Sequence, residues 1–352
     1  MPLAPLTRAV HPGAWWLWAL GAAIVATRTT NWLILLLLAG AVIIVVLTCR
    51  GDTPNASYFR MYAWLAVFLV VMRVLFRVVF QGGGTTVLLA LPTLTLPRVL
   101  TGAHILGPVT AEALLGGMVT GGQLGMLVLC VGAANSLASP RRLLATLPAA
   151  LYELGMTVVV AVSVFPQLAD SVTRVSRSRL LRDDRGTWRH MIREVITPVL
   201  ADTLDRSLLL AGAMDSRGYG RAVAVTRRQS TATTAVLALA MASLSIGAFA
   251  VLGPWNPVVG WLVVGGGAAL ACLGFRLAGR RTRRTRYRLD PWGAPEWVLA
   301  AAAALAVAVT TWLGVAYPAV LSPGVPLFAW PVALLPATLL VPVLVATEWG
   351  RR

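Results

Sequence analysis

The sequence predicts an all-α polytopic membrane protein with about eight transmembrane helices and a cytoplasmic or re-entrant pair of amphipathic helices. Three observations carry that expectation. The 352 residues are 58% hydrophobic and only 12% charged, whereas a soluble domain carries about 25% charged residues. Apolar runs close to the roughly 20 residues that cross a bilayer recur along the chain. All 30 basic residues are arginine, and they fall in blocks between those runs, the pattern that the positive-inside rule produces. The formal charge of +17 is therefore a topology signal. A nucleic-acid interface would gather the arginines on one soluble face, so nucleic acid is excluded as a partner.

Spans are expected at 14–27, 31–48, 61–80, 114–134, 232–252, 257–278, 296–314 and 327–346. The start carries no cleavable-leader pattern, and Trp15–Ala26 reads as a first span. Basic residues sit between spans two and three (Arg50, Arg60), after span four (Arg141, Arg142), after span six (Arg276 to Arg288) and at Arg351 and Arg352. The loops 81–113, Gly253-Pro-Trp-Asn256 and 315–326 are nearly uncharged. Both termini are thus expected in the cytoplasm of a bacterial plasma membrane, with Arg28 as the exception. The run 143–168 is long enough to span, yet both of its flanks are basic. It reads as a helix pair dipping into the membrane, broken near Pro148 and Pro166; the alternative is a true span. The expected divisions are 1–138 (four spans), 139–228 (a cytoplasmic coupling region), 229–290 (two spans and a basic loop) and 291–352 (two further spans).

Residues 167–228 form a polar insert. Apolar residues recur at Trp188, Ile192, Val195, Ile196, Val199, Leu200, Leu204, Leu208, Ala211 and Met214, the spacing of one amphipathic helix with Pro198 as a kink. The preceding segment, through Leu168, Val172, Val175 and Leu181, reads likewise, with Arg174, Arg177, Arg179 and Arg182 on its other face. Asp183, Asp184, Asp202 and Asp205 read as charge partners of the surrounding arginines. No GxxxxGK[ST], HExxH, GxSxG or calcium-loop pattern occurs. Cys49, Cys130 and Cys272 stand singly and His11, His104 and His190 lie far apart, so neither metal nor cofactor nor catalysis is expected.

Each of the two helical patterns ends on an Arg-Gly step, Asp184-Arg185-Gly186 and Ser216-Arg217-Gly218. Glycine past a helix end takes the left-handed conformation without a Cβ clash, and arginine there favours the negative helix end. Arginine also offers a rigid donor fork for carboxylates and carbonyls in a partner's groove. A helix from 188 to 215 is on the order of 40 Å long, so two such helices, crossed, present two separated plugs to a partner with two similar sockets.

At this point the chain resembles the transmembrane T component of energy-coupling factor (ECF) transporters, the CbiQ/EcfT family. The matching residues are Phe165-Pro-Gln-Leu168, an arginine ending near 182–186, Pro198-Val-Leu, and Leu209-Leu-Ala-Gly-Ala-Met-Asp-Ser-Arg-Gly-Tyr219. His11-Pro-Gly-Ala-Trp and Ser139-Pro-Arg-Arg-Leu-Leu fit as well. The family carries two Ala-Arg-Gly motifs at the ends of crossed coupling helices. Here the alanine positions hold Asp184 and Ser216, and the first motif's arginine is either Arg185 or Arg182. The resemblance implies a non-enzymatic scaffold that two ABC-type ATPase subunits grip through Arg217, Gly218 and Ser216 and through Asp184, Arg185 and Gly186, or Arg182. A separate small membrane S component would bind the vitamin or metal ion. The likeness does not extend past about 280, so the last two spans are expected to be additions.

Arg73 and Arg77 lie one turn apart inside the third span. An unpaired arginine at mid-bilayer costs roughly 2.5–3.5 kcal/mol on insertion scales. They are expected either to snorkel to the interface or to meet Glu112 or a docked partner. Two other function classes compete with the scaffold: a self-contained secondary transporter, and a membrane transferase, for which the clustered carboxylates or histidines are lacking.

Overall fold

The computed structural model describes residues 10–49, 58–80, 85–90, 94–95, 104–105, 107–138, 140–146, 151–180, 188–218, 227–253, 256–279, 292–322 and 334–344. In chain order the helices are α1 (Pro12–Arg28), α2 (Trp32–Cys49), α3 (Phe59–Val79), α4 (Ala111–Leu137), α5 (Pro140–Ala145), α6 (Tyr152–Leu180), α7 (Trp188–Ser216), α8 (Arg227–Leu252), α9 (Pro257–Gly279), α10 (Ala294–Ala316), α11 (Pro318–Leu321) and α12 (Leu334–Leu339). The protein is an all-α polytopic membrane protein. Seven stretches among the described residues are long and apolar enough to cross a bilayer: Trp32–Cys49, Phe59–Val79, Ala111–Leu137, Gly155–Ser178, Thr231–Leu252, Val258–Gly279 and Ala294–Ala316.

Two expectations change here. Of the segment 143–168 read as a dipping, broken pair, the part from Tyr152 onward is one continuous helix, α6, which carries Pro166 in its interior. A proline removes one N–H donor, and twenty-nine residues of helix absorb that loss without a break. The expected break at Pro148 lies outside the described residues. The last expected span, 327–346, is described only from Leu334, as α12 and a short helical continuation to Leu344.

The chain divides into two compact units, one of residues 1–143 with 289–352 and one of residues 144–288. In the first unit α1 is the central helix. Trp18, Ala22, Val25 and Ala26 are fully enclosed, with α10, α4 and α2 packed around them. Pro12 opens α1, where its missing N–H costs nothing, and the His11 ring accepts from the Gly13 amide at 3.1 Å. Glu296, 1% exposed, accepts from the Gly293 amide at 2.8 Å and the His11 amide at 3.0 Å. One buried carboxylate thus caps α10 and ties it to the start of α1.

The α1–α2 turn is sealed as well. The Thr29 and Thr30 hydroxyls and the Thr30 and Asn31 amides donate to the Leu321 carbonyl, and the Asn31 side chain donates to that of Val320. From the other side the Gln123 side-chain amide reaches the Thr29 carbonyl at 2.8 Å. Trp18 donates its indole N–H to the Leu339 carbonyl at 3.2 Å. The C-terminal helices are therefore built into the core of this unit.

Helices α3 and α4 run antiparallel in close contact. A methyl group placed on Gly121 would come 2.9 Å from the Val70 Cα; on Gly125, 3.1 Å from the Ala66 carbonyl oxygen; and on Gly117, 3.2 Å from the Val74 Cα. The four-residue spacing is the small-residue seam of membrane helix pairs. Between the two helices the chain forms a β-ribbon that the sequence read as a plain loop. Its strands are β1 (Val87–Ala90), β2 (Leu94–Thr95), β3 (His104–Ile105) and β4 (Pro108–Thr110). β1 pairs antiparallel with β4, and β2 with β3.

In the second unit α8 and α9 form a hairpin with the same device. A Cβ on Gly247 would meet the Val264 amide nitrogen at 2.8 Å, and one on Gly267 the Leu244 amide nitrogen at 3.0 Å. Helices α6 and α7 form the unit's other pair.

Gly21 measures how closely α10 is fitted to α1, because a Cβ there would lie 2.8 Å from the Ala303 Cβ. Gly21→Val is expected to destabilise the detergent-solubilised protein by about 1–3 kcal/mol, the usual cost of overpacking. Gly40→Val, where the added Cβ meets nothing within 4 Å, should leave the thermal midpoint nearly unchanged. Thermal unfolding of both variants checks this; equal midpoints would count against a fitted α1–α10 interface.

Candidate coupling site at the end of the seventh helix

Helix α7 is continuous through Pro198. Val199, 7% exposed, anchors its first half, while the Thr203 and Ser207 hydroxyls fold back onto the Val199 and Thr203 carbonyls. One polar contact joins α6 to α7: the buried Ser171 hydroxyl donates to Asp202 Oδ2. Arg206 Nε donates to Asp202 Oδ1 at 3.0 Å, one turn along α7, and Arg174 Nη2 lies 3.5 Å from the Ser171 oxygen. The Ser171 hydroxyl, then Arg206, hold the Asp202 carboxyl below its ordinary range. Asp202 is thus a charge partner of an arginine, as its surroundings in the sequence suggested. Ser171, the residue that turns this pair into a link between helices, was not singled out. An isolated serine in an apolar helix carries no signal of its own, and only the pairing of α6 with α7 reveals it.

Beyond Thr203 the character of α7 changes. Leu204 is 64% exposed, Leu208 71% and Leu209 76%, and every residue from Leu204 to Ala213 is exposed. The apolar positions recur at helical spacing, yet no described residue covers them. This half-helix projects its leucines outward and ends in a defined cap. The Arg217 amide donates to the Met214 carbonyl at 3.1 Å and the Gly218 amide to that of Asp215 at 2.8 Å. Gly218 has φ +76°, the left-handed region in which a Cβ is strained. The Ser216 hydroxyl bonds the Ala213 carbonyl at 2.9 Å. The Arg217 side chain is exposed and bonds to no other described residue.

Ser216, Arg217 and Gly218 therefore stand together at one exposed tip. Arg182, Asp184, Arg185 and Gly186, the candidates for the matching first tip, lie outside the described residues. Arg73 and Arg77 belong to the other unit. Both are exposed on α3, and Glu112 is engaged elsewhere, accepting from the Thr85 hydroxyl at 3.1 Å and the Thr86 amide at 3.3 Å. The expected Arg–Glu112 contact does not form. No protein-family model and no curated protein matches the sequence.

The Ser171–Asp202 link has a pH sign. A carboxyl whose folded pKa is depressed contributes its stabilisation above the unfolded Asp value of about 3.9 and loses it as pH falls through the lower folded value. Amide hydrogen exchange across residues 196–206 is expected to quicken as pH falls through that range, after correction for intrinsic rates. Asp202→Asn should show faster exchange already at neutral pH and little further change on acidification. Equal protection in the two proteins at neutral pH would remove the link from the α6–α7 contact.

Proposed function

We propose that the chain is the transmembrane coupling scaffold of an ECF-type ABC importer in a bacterial plasma membrane, with both termini cytoplasmic. The tip of α7 docks into an ATP-binding subunit, a second such subunit takes the first Arg-Gly ending, and a separate small membrane protein binds the vitamin or metal ion. The observation that carries this reading is the outer half of α7. Leu204, Leu208 and Leu209 are bare, and directly after them the exposed Arg217 stands on a left-handed Gly218 cap. An amphipathic helix laid into an apolar groove, with a terminal guanidinium on the groove's polar rim, is an established mode of helix recognition. The Met214–Tyr219 sequence agrees with the family motif apart from serine at the alanine position.

The mechanical part follows from rigidity. A continuous helix transmits displacement of its tip along its length, and the middle of α7 is tied to α6 through Ser171 and Asp202. Closure of the ATPase pair on nucleotide would move the tip, and the α6–α7 pair would carry that motion to the membrane helices.

Arg217→Glu is expected to lower recovery of two co-expressed ATP-binding subunits by about tenfold or more, given about 1.5–3 kcal/mol for hydrogen bonds to charged groups. Arg217→Lys should retain part of the interaction. Full ATPase association and substrate uptake by Arg217→Glu would overturn the proposal. Uptake by the purified chain alone in liposomes would favour a secondary transporter instead.

A further inference from the structure

Arg73 and Arg77 have no partner among the described residues and no part in the proposed coupling site. Both are exposed on a helix whose other exposed residues are mostly apolar, including Trp64, Phe68, Leu75 and Phe76. Neither bonds to another described residue, and Glu112 is held by Thr85 and Thr86. Two like charges one turn apart on a helix repel each other, so this arrangement calls for an anion between them.

The seam with α4 sets where that anion would lie. A Cβ on Gly121 would come 3.1 Å from the Arg73 Cβ, and one on Gly117 would come 3.2 Å from the Arg77 Cγ. The arginine stems therefore rest on bare backbone, and their guanidinium groups emerge beside the seam. Gly116 has no atom within 4 Å of its Cβ position, which leaves the surface next to this seam open. Met118, Phe76 and Phe80 nearby are also exposed, and Phe76 stacks on Phe80.

Depth follows from α3 itself. Its 21 residues rise about 32 Å, enough to cross a hydrocarbon core of about 30 Å. Arg77 and Arg73 lie two and six residues before its end at Val79, about 3 and 9 Å inside that end, a depth from which a long arginine side chain reaches the headgroups while its stem lies along apolar surface. The exposed apolar side chains around them face the acyl chains.

We propose that Arg73 and Arg77 together hold the phosphate of a membrane phospholipid against the α3–α4 seam. Arginine is the side chain suited to this, since its planar fork gives paired, charge-assisted bonds to phosphate oxygens. Basic pockets between membrane helices bind headgroups in the same way. The site lies wholly within the first unit and does not depend on the coupling function.

The test is native mass spectrometry of the full chain in detergent, titrated with phosphatidylglycerol. Arg73→Gln/Arg77→Gln is expected to weaken binding of the first lipid by about tenfold or more, the size of one lost charge-assisted bond. Arg73→Lys/Arg77→Lys should keep part of it. Arg60→Gln, an exposed arginine at the opposite end of α3, should bind as the unaltered protein does. Thermal midpoints of all variants are recorded alongside, and each single Gln variant is expected to fall between the parent and the double. Equal lipid binding by the parent and the double Gln variant would overturn the proposal. Displacement of the lipid by an excess of inorganic phosphate would overturn the lipid assignment and indicate a site for a soluble anion. Loss of a co-purifying acidic membrane protein from the double variant, with lipid binding unchanged, would overturn it in favour of a protein contact.

Discussion

The first unit depends on satisfying a polar turn in apolar surroundings. Between α1 and α2 the chain leaves the helix for three residues, Thr29 to Asn31, and Thr29 and Asn31 are almost fully buried. Irregular backbone at membrane depth is tolerated only where protein groups take its hydrogen bonds. Leu321 and Val320 supply the carbonyls, and Gln123 supplies a donor. That requirement fixes α11 against the turn, and with it α10 against α1. It also sets the height of α4, and so of α3, which touches α4 through the glycine seam. The buried Glu296 does the same at the opposite end of α1. Between these two polar clamps the packing is ordinary apolar contact around Trp18, Ala22 and Val25.

The second unit is organised differently. The α8–α9 hairpin closes on glycines, whereas α6 and α7 are joined through a serine–aspartate contact and then diverge in character. The first half of α7 is anchored by Val199 and Asp202. Its second half carries leucines that no described residue covers. A helix of this composition, exposed on all sides, is stable only when its apolar stripe is buried against a partner or a lipid surface. The coupling reading and the bareness of Leu204, Leu208 and Leu209 are in this sense one statement about where missing contacts must come from.

Much of this was legible in the residues. Long apolar runs with arginine blocks between them gave six of the eight expected spans because length and charge are local properties. The amphipathic period at 188–214 and the Ser216-Arg217-Gly218 ending gave a helix and its cap for the same reason. Several features were not legible. Pro166 suggested a break, yet one lost hydrogen bond does not stop a helix of this length. The stretch 87–110 looked like a loop because strand pairing depends on partners that composition does not announce. The role of the C-terminal helices was not legible, because nothing local in Glu296 or Leu321 indicates that the start of α1 and the α1–α2 turn need their groups.

The sequence by itself thus determined the class of protein, the helical segments and the arginine tip, since each rests on composition, periodicity or a cap within a few residues. The tertiary structure decided which helices belong to one unit, that Ser171 links α6 to α7, and that Glu112 serves Thr85 and Thr86. It also decided that Arg73 and Arg77 stand beside a glycine seam. The physical reason is the same throughout. A cap or an apolar run is satisfied by its neighbours in the chain, whereas a buried polar atom or a bare charge is satisfied by whatever the fold brings to it.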